Sequence, residues 1–140
     1  MARQVQDIMT RQVHTVRGDA AIVDVARVMR DQKIGDVLVT NTDGTLLGIV
    51  TDRDIVVRAV AAGKPVDKLK VADIVTDQLV SVSPTSTVDE AIKVMRTHAV
   101  RRVPVVQDGK PTGILTIGDL ARHQDPRSAL AQISSAAANN

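Results

Sequence analysis

Apolar residues recur at i, i+3, i+4 and i+7 twice in this chain. The first set is Ile22, Val25, Ala26 and Met29; the second is Val88, Ala91, Ile92 and Met95. That spacing marks one face of a helix and predicts two amphipathic helices with both methionines in the core. Thr87-x-x-Glu90 predicts a capping box at the start of the second. After each helix the pattern changes to β-branched runs, Asp36–Thr40 and residues 102–106. Asn41-Thr42-Asp43-Gly44 and Asp108-Gly109 read as turns, and returning strands are expected over 46–50 and 112–115. Shorter strands are expected before the helices, at 13–16 and 79–82. A further helix is predicted from Asp52 to Ala62, stopped by Gly63 and Pro65, and another from Ile117.

These elements repeat because the sequence repeats. Asp7-Ile8-Met9-Thr10 aligns with Asp73-Ile74-Val75-Thr76, an offset of 66 from 7 to 73. Val28-Met29-Arg30 aligns with Val94-Met95-Arg96 at the same spacing. One residue is lost in the second turn, so Gly48-Ile49-Val50-Thr51-Asp52-Arg53-Asp54 aligns with Gly113-Ile114-Leu115-Thr116-Ile117-Gly118-Asp119 at an offset of 65, from 48 to 113. The predicted organisation is a first repeat over 5–62, a linker over 63–70, a second repeat over 71–123 and a fraying polar tail over 124–140. Each repeat reads strand, helix, hairpin, helix. A unit of about 60 residues buries too little surface to be secure alone, so the two are expected to pack together about a pseudo-twofold axis.

Composition narrows the chemistry. The 140 residues are 44% apolar, with no Phe, Tyr, Trp or Cys. The core must be aliphatic, and a planar ligand would lie between aliphatic side chains rather than against a ring. Base-stacking platforms for single-stranded nucleic acid, disulfides and thiolate chemistry are excluded. Net charge is +2, with the charges interspersed, which gives no basic stripe for nucleic acid. No 18-residue uncharged apolar run suits a bilayer, and MARQVQDIMTRQ carries no apolar signal core; a cytoplasmic protein is expected. His14, His98 and His123 stand apart without metal-ligand spacing, so no metal is expected. There is no nucleophile elbow and no Walker loop, and no enzyme is expected.

The duplicated strand exit carries the chemistry. Locally, Thr51 with Asp54 and Thr116 with Asp119 have the spacing of helix capping boxes, each contributing about 0.5–2 kcal/mol. The same arrangement suits a nucleotide. A helix N-terminus offers free N–H groups to phosphate, a Thr hydroxyl can donate to it, and an acid one turn on can accept from two vicinal ribose hydroxyls.

With these residues in place the chain resembles a tandem pair of CBS domains, the Bateman module. The likeness spans about residues 5–123 and rests on GIVTDRD and GILTIGD, on Met29 and Met95, on AVRRVPVV at 99–106, and on the DIMT and DIVT starts. It implies α/β architecture with mixed sheets: two repeats, each a three-stranded mixed sheet with two helices. It implies a regulatory, ligand-sensing function in which AMP, ADP, ATP or a related adenosyl compound binds in clefts. It also implies a homodimer, an unidentified regulated protein, and no nucleic acid or membrane partner. By this resemblance Asp54 and Asp119 hold ribose, and Thr51 and Thr116 lie near phosphate. Thr15, Val16, Ser81 and Val82 meet the ligand from the first strands. Ile34 with Val37, and Val100 with Val103, flank the base. Arg101 and Arg102 supply phosphate-contacting cations in the second repeat, where the first has Gly35 and Asp36; Arg53 is the compensating cation there. The second cleft is therefore expected to be the stronger. The alternative function is a dimeric structural or interaction module with no physiological nucleotide.

Overall fold

The computed structural model describes residues 3–75, 80–125 and 127–136. Its elements are α1 (Val5–Ile8), β1 (Thr15–Arg17), α2 (Ile22–Gln32), β2 (Asp36–Thr40), β3 (Leu46–Thr51) and α3 (Asp52–Asp54). A π-helix (Ile55–Val60) and two 3-10 turns (Val66–Lys68 and Val71–Asp73) precede α4 (Val88–His98), β4 (Arg102–Gln107), β5 (Lys110–Thr116), α5 (Ile117–Gln124) and α6 (Ala129–Ser135). The helical and β-branched patterns thus form the elements they predict. Both helix-face methionines are buried at 6% exposure. No helix among the described residues is long and apolar enough to cross a membrane.

Packing divides the chain differently from the repeat. One compact unit is His14–Leu79; the other joins Met1–Val13 to Val80–Asn140. The start of each repeat therefore completes the core of the other unit. Val71 and Ile74 join Ile22, Val25, Val37 and Val50. Val5 and Met9 join Val103, Val105 and Leu115. Burying an aliphatic side chain is worth about 1.5–3 kcal/mol, so these short segments contribute well beyond their length. The backbone fixes them as well: Val5 N–H donates to Ser86 O at 2.8 Å, and Ala20 O accepts from Val71 N–H at 2.8 Å.

In the first unit β1 pairs parallel with β2, and β2 antiparallel with β3, giving the expected three-stranded mixed sheet. The second unit differs. Among the described residues its sheet is the antiparallel β4–β5 ladder, and the described part of the strand expected at 79–82 contributes one parallel bridge, Val82 to Val105. Val82 N–H donates to Pro104 O at 3.1 Å and Val82 O accepts from Val106 N–H at 2.8 Å. Pro84 follows two residues later and has no N–H to continue the pairing. Leu79 and Thr76, part of that strand and of the DIVT start, lie outside the described residues. The β4–β5 turn has positive φ at both Asp108 and Gly109, 53° and 79°, as a two-residue hairpin of this hand requires.

Two further segments differ in part from expectation. The helix predicted over 52–62 begins as α3 but widens into a π-helix at Ile55–Val60, where Ala61 N–H donates to Val56 O at 2.7 Å. The run Ile55-Val56-Val57 is β-branched and crowds tight α-winding. Part of the segment expected to fray, 124–140, forms α6, and residues 126 and 137–140 lie outside the described residues. Ser128 caps it through Ala131 N–H at 3.1 Å, and Ala131 is 1% exposed.

Candidate functional site

The two strand-to-helix exits have matching local geometry. Thr51 Oγ1 accepts from Asp54 N–H at 3.0 Å, and the Asp54 carboxylate accepts from Thr51 N–H at 2.9 Å. Thr116 Oγ1 accepts from Asp119 N–H at 3.1 Å, and Asp119 accepts from Thr116 N–H at 2.9 Å. Both are complete capping boxes, as the spacing predicts. The approach loops match too: Gly35 O accepts from Asp52 N–H at 2.9 Å, and Arg101 O from Ile117 N–H at 3.0 Å. Each box is thus anchored to the loop that leads out of the preceding helix, which brings Thr, acid and loop together in both units.

The remaining surroundings of the two acids differ. Asp119 is 4% exposed. Besides its box it accepts from the Thr10 hydroxyl, at 3.0 Å to Oδ1 and 3.2 Å to Oδ2, and it pairs with the Arg122 guanidinium. The Asp54 side chain keeps 18% exposure and faces Arg58 Nε at a looser 3.7 Å. Arg58 also donates to Ile74 O at 3.3 Å. The partner is therefore at i+3 on the α-helix and at i+4 on the π-helix.

Thr10, Arg58 and Arg122 were not among the residues expected at the site. A signal existed for each: Thr10 recurs as Thr76 in the repeat, and each Arg lies one turn after its acid, the spacing at which helix side chains meet. The exposed pair Arg30–Asp31, at 2.8 Å, lies apart from both boxes. The hydrogen bond from Arg30 holds the Asp31 carboxyl below its ordinary value.

Other expected residues fall into two groups. Val37 and Val103 are core residues at 1% and 0% exposure, and Val82 is 7% exposed, so none of them offers a face to a base in this conformation. Ile34, Val100 and Val16 are half-buried, while Thr15, Ser81, Arg53, Arg101 and Arg102 are exposed. Asp36 is half-buried at the start of β2, and neither it nor Arg102 is without a partner. In the second unit a groove of about 380 Å³ runs between α4 and α5, lined by Met95, Val100, Arg101, Ile117 and Leu120 among others. It gathers Val100 and Arg101 but not Thr116 or Asp119. Among the described residues no cluster of three His, Asp or Glu side chains is placed to hold a metal ion.

The CBS-domain family pattern matches residues 5–60 and 71–125, nearly the whole chain. This chain belongs to the CBS-domain family. The two matches are the two repeats. The chain is 38% identical over 136 residues to the uncharacterized protein YlbB of Bacillus subtilis, covering 94% of this chain and 91% of that one. Among solved structures it is similar to hypoxic response protein I with two coordinated zinc ions: 34% identity, 86% of this chain, 98% of the other, TM-score 0.80. It is also similar to the CBS domain pair of protein MJ0100 in complex with 5′-methylthioadenosine and S-adenosyl-L-methionine. There identity is 25%, coverage 91% of this chain and 100% of that one, and TM-score 0.79. The CBS fold of this chain therefore places the Thr–acid boxes at the same exit of each CBS domain.

Proposed function

We propose that this CBS pair is a regulatory module that senses an adenosine nucleotide, AMP, ADP or ATP, or a related adenosyl compound, and passes its state to a protein partner. The observation that carries the reading is the duplicated Thr–acid box: Thr51 with Asp54 and Thr116 with Asp119, each closed by two hydrogen bonds of 2.9–3.1 Å. Helix N–H groups and a Thr hydroxyl suit phosphate, and the acid suits a ribose diol. The adenosyl ligands of the MJ0100 domain pair support the same class. Arg101 and Arg102, exposed beside the second box, add phosphate-directed charge, and Arg53 does so beside the first. Ile34 and Val100, rather than the buried Val37 and Val103, are the aliphatic residues available to the base.

A nucleotide at ten times its Kd should add about 1.4 kcal/mol to stability. That corresponds to a melting-temperature rise of about 3–7 °C for a chain of this size. Without aromatic residues the transition must be followed by circular dichroism or an extrinsic dye. A panel of AMP, ADP, ATP, NAD and S-adenosylmethionine decides the matter: no shift at millimolar concentration favours the structural-module reading. That second reading has an observation of its own, the engagement of Asp119 by three protein donors.

Association of two copies belongs to the same proposal. Val56, Val57 and Val60 on the π-helix are 57%, 45% and 58% exposed, and Ile117 on α5 is 47% exposed. Exposed valines in a row mark a surface that another molecule covers. Light scattering at micromolar concentration should give about 30 kDa, twice the 15.0 kDa chain. A mass of one chain would remove this part of the proposal.

A further inference from the structure

Asp119 is a buried carboxylate with its acceptor capacity largely used. A carboxylate offers about four lone-pair directions. Oδ2 takes Thr116 N–H at 2.9 Å, and Oδ1 takes the Arg122 guanidinium. The Thr10 hydroxyl sits across both oxygens, at 3.0 and 3.2 Å. That hydroxyl has one proton, so it makes a single hydrogen bond shared between the two oxygens; a vicinal diol, with two donors, would address the same two oxygens with one bond each. Thr10 therefore holds the face that a ribose would need.

Its attachment is suited to exchange. The Thr10 backbone is fixed by a reciprocal bridge to Ile114, N–H to O at 2.9 Å each way. The residue itself is exposed, and its hydroxyl can turn to another staggered rotamer without moving that backbone. Asp119 cannot turn in the same manner, because its box and Arg122 hold it from two sides.

We infer that Thr10 is a built-in competitor of the ribose diol for Asp119, and so sets the affinity and sugar selectivity of the second CBS domain. This rests on the nucleotide-sensing reading above. Ligand binding turns the Thr10 hydroxyl away and removes the side-chain tie between the 3–13 segment and α5, while the bridge to Ile114 remains. The segment that belongs by sequence to the first repeat thereby registers occupancy in the second.

The test compares wild type, Thr10→Val and Thr10→Ser by titration calorimetry with adenosine and with 2′,3′-dideoxyadenosine. Thr10→Val keeps the side-chain shape and removes the donor. It should bind adenosine about three- to tenfold more tightly than wild type, the worth of one displaced hydrogen bond. It should show no gain for the dideoxy compound, which has no diol to place. Thr10→Ser should behave as wild type. In wild type, adenosine should narrow the difference between wild type and Thr10→Val in hydrogen exchange of the Met9 and Thr10 amides. Adenosine binding to wild type with no gain in Thr10→Val overturns the competitor and leaves the sensing function standing. Binding seen only in Thr10→Val supports the competitor in its strongest form. Absence of adenosine binding in the wild-type, Val and Ser proteins alike overturns the competitor, while the sensing function is judged by the nucleotide panel, whose phosphates adenosine lacks. Should Thr10→Val fail to fold, the wild-type exchange measurement decides: unchanged amides on adenosine binding overturn the competitor.

Discussion

Asp119→Ala is expected to lower unfolding stability by about 3 kcal/mol, against about 1 kcal/mol for Asp54→Ala. Both substitutions remove the reciprocal half of a capping box, worth about 0.5–2 kcal/mol. Only Asp119 is also 4% exposed and joined to both Thr10 and Arg122. Its loss leaves a hydroxyl, a guanidinium and a backbone N–H without their acceptor. Removing one partner from a buried ionic contact costs about 3–5 kcal/mol. The Arg122 side chain is 35% exposed, so water takes over part of its solvation and the value falls toward the lower end. The Asp54 carboxylate, at 18% exposure and 3.7 Å from Arg58, has less to lose. Urea denaturation of the two variants measures the difference directly. Equal losses would mean that Asp119 acts as a local cap alone, as the capping spacing suggests. The same contacts bear on the ranking of the two clefts. Asp119 is held by protein donors that a ligand must meet or displace, so the cations of Arg101 and Arg102 are offset by the work of opening its acid.

Gly113→Ala should cost about 2–3 kcal/mol, through a contact between segments far apart in sequence. A Cβ at this position would lie 2.7 Å from Met9 Sδ and 2.8 Å from Thr10 O. The methionine tip can give way, but the carbonyl cannot do so freely, because it accepts from Ile114 N–H at 2.9 Å. Overpacking against fixed backbone costs about 1–3 kcal/mol, and here it also weakens the burial of Met9, which is 9% exposed. The effect should appear as a lower denaturation midpoint together with faster exchange of the Thr10 and Ile114 amides. A neutral Gly113→Ala would show that the 3–13 segment does not depend on close approach to β5. Gly113 was legible in the sequence as a recurring glycine in a strand. Close backbone approach is what such a strand glycine suggests; which segment approaches, Met9-Thr10, was not legible.

That difference runs through the whole protein. The sequence by itself determined the elements whose causes are local. The i, i+3, i+4, i+7 rows made α2 and α4, and Asp108-Gly109 made a tight turn. Thr51-x-x-Asp54 and Thr116-x-x-Asp119 closed as capping boxes, and the offsets of 66 and 65 showed the duplication. Each of these depends on neighbours within one or two turns, where side-chain identity and spacing fix the geometry. Only the tertiary structure decided which unit each segment completes. It also decided that Val82 joins the second unit's sheet through a bridge to Val105, and that Val37 and Val103 are buried in the core. Likewise, it buried Asp119 against Thr10 and Arg122 while Asp54 remained partly open. Thr10 and Asp119 are 109 positions apart, and their meeting depends on how the aliphatic sheet of a repeat of about 60 residues buries its open face. That burial is non-directional and can be satisfied by any apolar segment of suitable shape, so the sequence shows Val5 and Met9 as apolar without saying which unit covers them.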